Sequence, residues 1–180
     1  MYQTAVKAFE RGCALDHGRA CASLGQVVKR AIHTEYDAVR AAVIFEKACK
    51  LGEASGCSDA ANLYETGREA RSQTLNLPSA PPIAKRDLPR DPARAVALYQ
   101  RACDLGASDF CFVTARILEA GEGVPADREK ALGLFARLCE GGMALACTRA
   151  AALAPSGQEQ GYVRRACVFG GQDQCAPPGK

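Results

Sequence analysis

Cys103-Asp-Leu-Gly106-Ala-Ser-Asp-Phe-Cys111 sets two cysteines eight residues apart, with a glycine three after the first. The same frame recurs at Cys13/Cys21, Cys49/Cys57, Cys139/Cys147 and Cys167/Cys175, so five frames use all ten cysteines of the chain. Two residues eight apart on one continuous helix are separated by about 12 Å along its axis, whereas a disulfide needs its Cα atoms roughly 4.4–6.8 Å apart. Pairing within a frame therefore requires the chain to turn back between its cysteines. Gly52, Gly106, Gly142 and Gly170 all stand three after a first cysteine, where a helix ending in a left-handed residue favours glycine. The first copy has Asp16 there, with Gly18 two residues on. Each frame reads as a helix end, a tight turn and a new helix start. The expectation is five local disulfides, each stapling a helical hairpin.

Metal and redox sites are the competing readings of so many cysteines. Zinc sites use cysteines two to four apart, often with histidines. The chain has no C-x-x-C and no C-x-x-C-H, and its two histidines, His17 and His33, recur in no repeat. No metal or cofactor is expected.

The 180 residues suit one medium domain or a short solenoid. Hydrophobic residues make up 48% of the chain, enough for a core, but only 6% of the chain is aromatic and tryptophan is absent, so alanine dominates and helices must approach closely. The net charge of +3 is mild and no run of five like charges occurs, which argues against nucleic-acid binding. No apolar stretch approaches the length of a membrane span. No signal peptide is visible, since Met1-Tyr-Gln-Thr-Ala-Val leads straight into an amphipathic helix. A disulfide ladder belongs in an oxidising compartment. A mature form, a fragment or an expressed piece would reconcile the two, and the opening in mid-repeat favours a fragment.

Alignment on the cysteines exposes a helix before each frame, helix B. It reads Ala5-Val-Lys-Ala-Phe9-Glu-Arg-Gly-Cys13, Ala41-Ala-Val-Ile-Phe45-Glu-Lys-Ala-Cys49, Ala95-Val-Ala-Leu-Tyr99-Gln-Arg-Ala-Cys103 and Ala131-Leu-Gly-Leu-Phe135-Ala-Arg-Leu-Cys139. The alanine at minus eight, the aromatic at minus four and the cysteine share one helical face. The aromatic is expected in the core, with ligand stacking as the alternative. Helix A follows each second cysteine. Small residues at plus four (Gly25, Ala61, Ala115, Ala151) precede larger apolar ones at plus six or seven (Val27, Val28, Leu63, Tyr64, Ile117, Leu118, Leu153). Gly67, Gly121 and Gly157, at plus ten, are expected to end three of these helices. Asp37, Asp91 and Asp127 are expected to N-cap the next helix B, and Pro92 suits a first helical position.

First cysteines lie 36 residues apart from 13 to 49 and from 103 to 139, a period of helical-hairpin arrays. The interval from 49 to 103 carries 18 extra residues, assigned to a Pro-rich insertion at 68–90. The interval from 139 to 167 is eight short, so the connector near Pro155–Gln158 is clipped, with Glu159 and Val163 at the minus-eight and minus-four positions. An atypical last repeat suits a cap. The expected organisation is a single array: a half repeat at 1–19, repeats at about 20–51, 55–105, 108–141 and 143–169, and a stapled tail at 170–180.

The pieces A-x-x-Φ-[FY]-x-x-A-C-x-L-G…C, L-x-x-G-x-G-V and D-x-x-K-A-L resemble the Sel-1-like repeat, a relative of the tetratricopeptide repeat. Gly121, Gly123, Val124, Asp127, Lys130, Ala131, Phe135 and the cysteine frames carry the match. The C-x7-C version is similar to the cysteine-rich, Hcp-type bacterial subfamily. The resemblance covers the chain apart from 68–90, although Gly-x-Gly-Val survives only in the third repeat. It implies an all-α, right-handed α/α superhelix, periplasmic or secreted, that binds a protein or peptide in a concave groove. Some members are described as penicillin-binding or weakly β-lactam-hydrolysing, and a mitochondrial relative with similar staples binds haem.

A non-enzymatic binding scaffold is the leading functional reading. If helix A faces line the inner surface, the position at plus five from each second cysteine presents Gln26, Asn62, Arg116 and Ala152. The first three are candidate groove residues, with an ordinary solvated face as the alternative. Serine β-lactam chemistry needs S-x-x-K, S-D-N and K-T-G elements, and none occurs: Ser58-Asp59 is followed by Ala60, and Ser108-Asp109 by Phe110. A haem- or metal-related assembly role rests on the resemblance alone.

Overall fold

The computed structural model describes residues 2–30, 37–67 and 88–170, which contain nine helices and no strand. The chain divides into two compact units, Met1–Ala107 and Ser108–Lys180. The first holds α1 (Tyr2–Ala14), α2 (Gly18–Lys29), α3 (Ala38–Lys50), α4 (Ala54–Thr66) and α5 (Pro92–Asp104). The second holds α6 (Ser108–Ala120), α7 (Arg128–Glu140), α8 (Ala144–Leu153) and α9 (Glu159–Val168). Within each unit every helix packs on the next in sequence. Alternate helices also touch, α2 on α4 and α3 on α5 in the first unit and α7 on α9 in the second. Helices of type A thus stack on type A, and type B on type B, as in a hairpin solenoid.

One hydrogen-bond pattern makes the hairpin turns. The N–H three after the first cysteine donates to that cysteine's carbonyl, and the next N–H reaches back five residues: His17 to Gly12, Glu53 to Ala48, Ala107 to Ala102 and Met143 to Leu138, all at 3.0–3.1 Å. This double closure is the Schellman helix stop, whose turn residue is left-handed. Gly52, Gly106 and Gly142 take φ of 86°, 92° and 91°, and Asp16 takes 59° in the first copy. Asp16 is the one non-glycine residue with positive φ among the described residues. The Asp37, Asp91 and Asp127 side chains accept the N–H of Arg40, Arg94 and Lys130 at 2.8–2.9 Å, capping α3, α5 and α7.

The turn brings each frame's cysteines together. Cα separations are 4.5 Å for Cys13–Cys21, 4.5 Å for Cys49–Cys57 and 4.6 Å for Cys139–Cys147, all disulfide-bonded. Cys103, Cys111 and Cys167 are also disulfide-bonded. Cys175, the expected partner of Cys167, lies outside the described residues, as do the 171–180 part of the tail, His33 and the 68–87 part of the insertion. Helices this closely stapled tolerate little between them. A Cβ on Gly56 would stand 2.5 Å from the Ala48 methyl, which is why small residues precede the cysteines there.

Phe45, Tyr99 and Phe135, the aromatics at minus four, are buried, and Phe9 is half-buried against the cluster around Cys13, Cys21 and Leu24. This position is core. In α9 the expectation at Val163 shifts by one residue: Tyr162 packs against Cys139, Cys147 and Ala166. A clipped connector delivers this helix, so its register differs from that of the other B helices.

Two connectors share one construction. Asp91 N–H donates to the Tyr64 carbonyl and Asp127 N–H to the Leu118 carbonyl, both at 2.8 Å. Both carbonyls lie seven after a second cysteine. Leu88-Pro-Arg-Asp91 therefore matches Val124-Pro-Ala-Asp127. Leu88 is buried, and Arg90 Nε donates to the Glu65 carbonyl at 2.6 Å. Leu88–Arg90 belong to the connector, so the inserted stretch ends before Leu88 instead of at Arg90.

Candidate functional site

Helix A carries the candidate residues. In the first unit α2 and α4 lie side by side, and their polar residues form a ladder between them. Gln26 Nε2 donates to Asp59 Oδ2 at 2.6 Å, and Lys29 Nζ pairs with Asp59 Oδ1 at 3.2 Å. Lys29 also stands 5.9 Å from the centre of the Phe45 ring. One turn on along α4, Asn62 Nδ2 donates to the Ser58 carbonyl at 3.1 Å. The Tyr99 hydroxyl, arriving from α5, lies 2.7 Å from Glu65 Oε2 and 3.0 Å from Asn62 Oδ1. Burial, reinforced by the hydrogen bond that the phenol donates to the Glu65 carboxylate, pushes the Tyr99 pKa well above its ordinary value.

A second polar group sits where α3, α4 and α5 meet. Arg94 Nη2 lies 2.6 Å from Glu46 Oε1 and 2.8 Å from Glu46 Oε2, with its guanidinium 4.6 Å from the Tyr64 ring centre. Burial, then the hydrogen bond to Glu46, raises the Tyr64 phenol to about 12. The Arg94 guanidinium is held still more firmly protonated by the same carboxylate.

In the second unit Arg116 of α6 is exposed, and Glu119 of the same helix meets Arg149 of α8 at 3.5 Å. The three candidate groove residues therefore differ in state. Gln26 is half-buried with its amide engaged by Asp59, and Asn62 is exposed with both amide atoms in internal hydrogen bonds. Arg116 alone of the three has no polar partner among the described residues. Gln26 and Asn62 lie in one unit and Arg116 in the other.

Asp59, Lys29, Glu65, Tyr99, Glu119 and Arg149 are participants that the plus-five reading passed over. For four of them the signal lies in the sequence when position eight of one helix A is read against position two of the next. That comparison pairs Lys29 with Asp59 and Glu119 with Arg149.

Helical hairpins of this period, stapled at C-x7-C, match the Sel1 repeat model at residues 18–53, 85–106 and 108–143, together just over half of the chain. The chain belongs to the Sel1 repeat family. Sel1 repeats are in general protein-interaction modules. Among solved structures, a Sel1 repeat protein from Oxalobacter formigenes aligns over 91% of this chain and 63% of its own, at a TM-score of 0.60 and 17% identity. The protective antigen c5321 of uropathogenic Escherichia coli, which displays the same repeat fold, aligns over 92% of this chain and 33% of its own, at 0.59 and 19%. Cysteine-rich protein B of Helicobacter pylori aligns over 96% and 91%, at 0.48 and 21%. This chain spans less than two thirds of the first two. None of the curated proteins matches the sequence. The Sel1 fold accounts for the helix order and the stapled turns, and the disulfides fit an oxidising compartment. No described helix is long and apolar enough to cross a membrane.

Proposed function

We propose that this Sel1 repeat chain is a non-enzymatic scaffold that binds a protein or peptide on its helix A faces, in the periplasm or outside the cell. One observation carries the reading. The position five after the second cysteine bears an exposed polar side chain in each unit, Asn62 and Arg116, and Arg116 has no polar partner among the described residues and can hydrogen-bond a peptide. Rigid helices stapled at their turns hold such groups in place, which limits the ordering cost of binding.

A serine-hydrolase reading is disfavoured by the residues themselves. Ser58 is buried, and its hydroxyl donates to the Ser55 carbonyl at 3.0 Å, with no lysine one turn on to activate it. Nitrocefin turnover by purified protein, lost on heating, would overturn the non-enzymatic reading.

The binding reading is tested by affinity purification from the native envelope fraction, with wild type compared against Asn62→Ala/Arg116→Ala. The captured partner is expected to be lost while circular dichroism stays unchanged. Partner retention by the double variant would remove these residues from the site.

A further inference from the structure

The two junctions between A helices of the same unit, α2 with α4 and α6 with α8, share one pairing register. In the first unit the residue eight after a second cysteine, Lys29, pairs with the residue two after the next, Asp59. The residue at plus five, Gln26, donates to the same carboxylate. In the second unit Glu119 and Arg149 hold the plus-eight and plus-two positions and also meet, at 3.5 Å. In that register Arg116, at plus five, holds the place of Gln26, the amide that donates to a carboxylate in the first unit, and it stands one helical turn before Glu119 on α6. The chemistry of the two rungs differs. The first contains a cation, an amide and a carboxylate, and every group is engaged. The second sets two guanidiniums against one carboxylate, Glu119, which reaches Arg149 only at the outer limit of a hydrogen bond. Arg116 is exposed and has no polar partner among the described residues, and Arg149 is partly open to solvent. The rung is one anion short.

We propose that Arg116 and Arg149 form a carboxylate-binding subsite that takes an acidic side chain of the bound peptide. The proposal rests on the scaffold reading and specifies its ligand. A carboxylate has two oxygens that accept from two guanidinium forks, and such charge-assisted bonds are about twice as strong as neutral ones. Planar arginine suits this geometry where lysine offers a point charge. Both arginines stand in mid-helix, so the subsite is approached across an open helical face. That geometry suits a side chain on a peptide passing over it better than a chain terminus, which needs a walled end. Glu119, half-buried, stays beside Arg149 and orients it.

The test uses the full chain labelled with 15N, reading the arginine Nε–H signals during titration. The probes are acetyl-Ala-Gly-Glu-Gly-Ala-amide, its Gln isostere, the Gln peptide with a free C-terminus, glutarate and inorganic phosphate. The glutamate peptide and glutarate are expected to shift the Arg116 and Arg149 signals, and the amidated Gln peptide to leave them in place. Arg116→Gln, a surface change, is expected to weaken the glutamate peptide roughly tenfold, the loss of one charge-assisted bond, with circular dichroism unchanged. An equal response to both amidated peptides would overturn the acidic preference while leaving the scaffold reading intact. A response confined to the free C-terminus or to phosphate would overturn the side-chain assignment. Shifts with glutarate but with no peptide would overturn the scaffold reading and leave the carboxylate subsite standing. Silence with glutarate as well would remove the subsite itself.

Discussion

At Gly25, two opposing effects can be weighed. Alanine in a helix is favoured over glycine by about 1 kcal/mol, yet a Cβ here would lie 2.5 Å from a ring atom of Phe45, which is fully buried. Overpacking of that kind costs about 1–3 kcal/mol, so steric crowding wins. Gly25→Ala is expected to lower stability by about 1 kcal/mol in urea denaturation; a gain would mean that Phe45 moves freely. Ala61 and Ala115 hold the same repeat position fully buried, so the demand for glycine is local to the Phe45 contact. The tyrosines give a second expectation at this scale. Tyr64 rises from 10.0 to about 12 when folded, and Tyr99 is raised as well. An unfolded chain loses these protons first, so the stability they confer is fully present below pH 10 and is lost as pH climbs toward 12. Absorbance at 295 nm should show a late-ionising class of phenols that appears together with loss of helix. That class should shrink in Tyr64→Phe and Tyr99→Phe. Early titration of both phenols with the helix intact would contradict their burial.

Elements were legible where local chemistry decides them. The aspartate caps, the left-handed stop after each first cysteine and the B helices that lead into Cys13, Cys49, Cys103 and Cys139 all follow from neighbouring residues, and each is present. The end of the insertion was less legible, because Leu88-Pro-Arg-Asp91 shows its kinship to Val124-Pro-Ala-Asp127 only once both aspartates are seen clamped to a helix A carbonyl. The polar ladder was hidden for a similar reason. Plus eight meets plus two only in the register set by helix packing, which periodicity along a single helix does not encode. Such part-buried pairs contribute on the order of 1 kcal/mol or less, so they align neighbouring helices more than they stabilise them. The shared connector leads to an expectation at this scale. Replacing residues 68–87 by Glu-Gly, the pair at 122–123, preserves the clamp. Closing a shorter loop should then raise stability by about 1 kcal/mol, read by thermal unfolding. A loss of more than about 2 kcal/mol, the size of a buried apolar side chain, would show that the inserted residues pack on the fold.

For the whole molecule, the cysteines are the organising fact. In a core rich in alanine, burial supplies less than in one built of larger side chains. A disulfide between residues eight apart contributes roughly 2–3 kcal/mol in the chain-entropy model. The staples are structural, and they fix the helix A faces on which Asn62, Arg116 and Arg149 are displayed. The repeat family was legible and the ligand was not, because repeat spacing records architecture while the ligand is chosen by a few surface side chains. The most direct test is a non-reducing peptide map of the native protein. The account predicts five linked pairs, each cysteine joined to the one eight residues away, Cys167–Cys175 included, and no free thiol. A linkage between frames, or a reduced pair in the native protein, would contradict it.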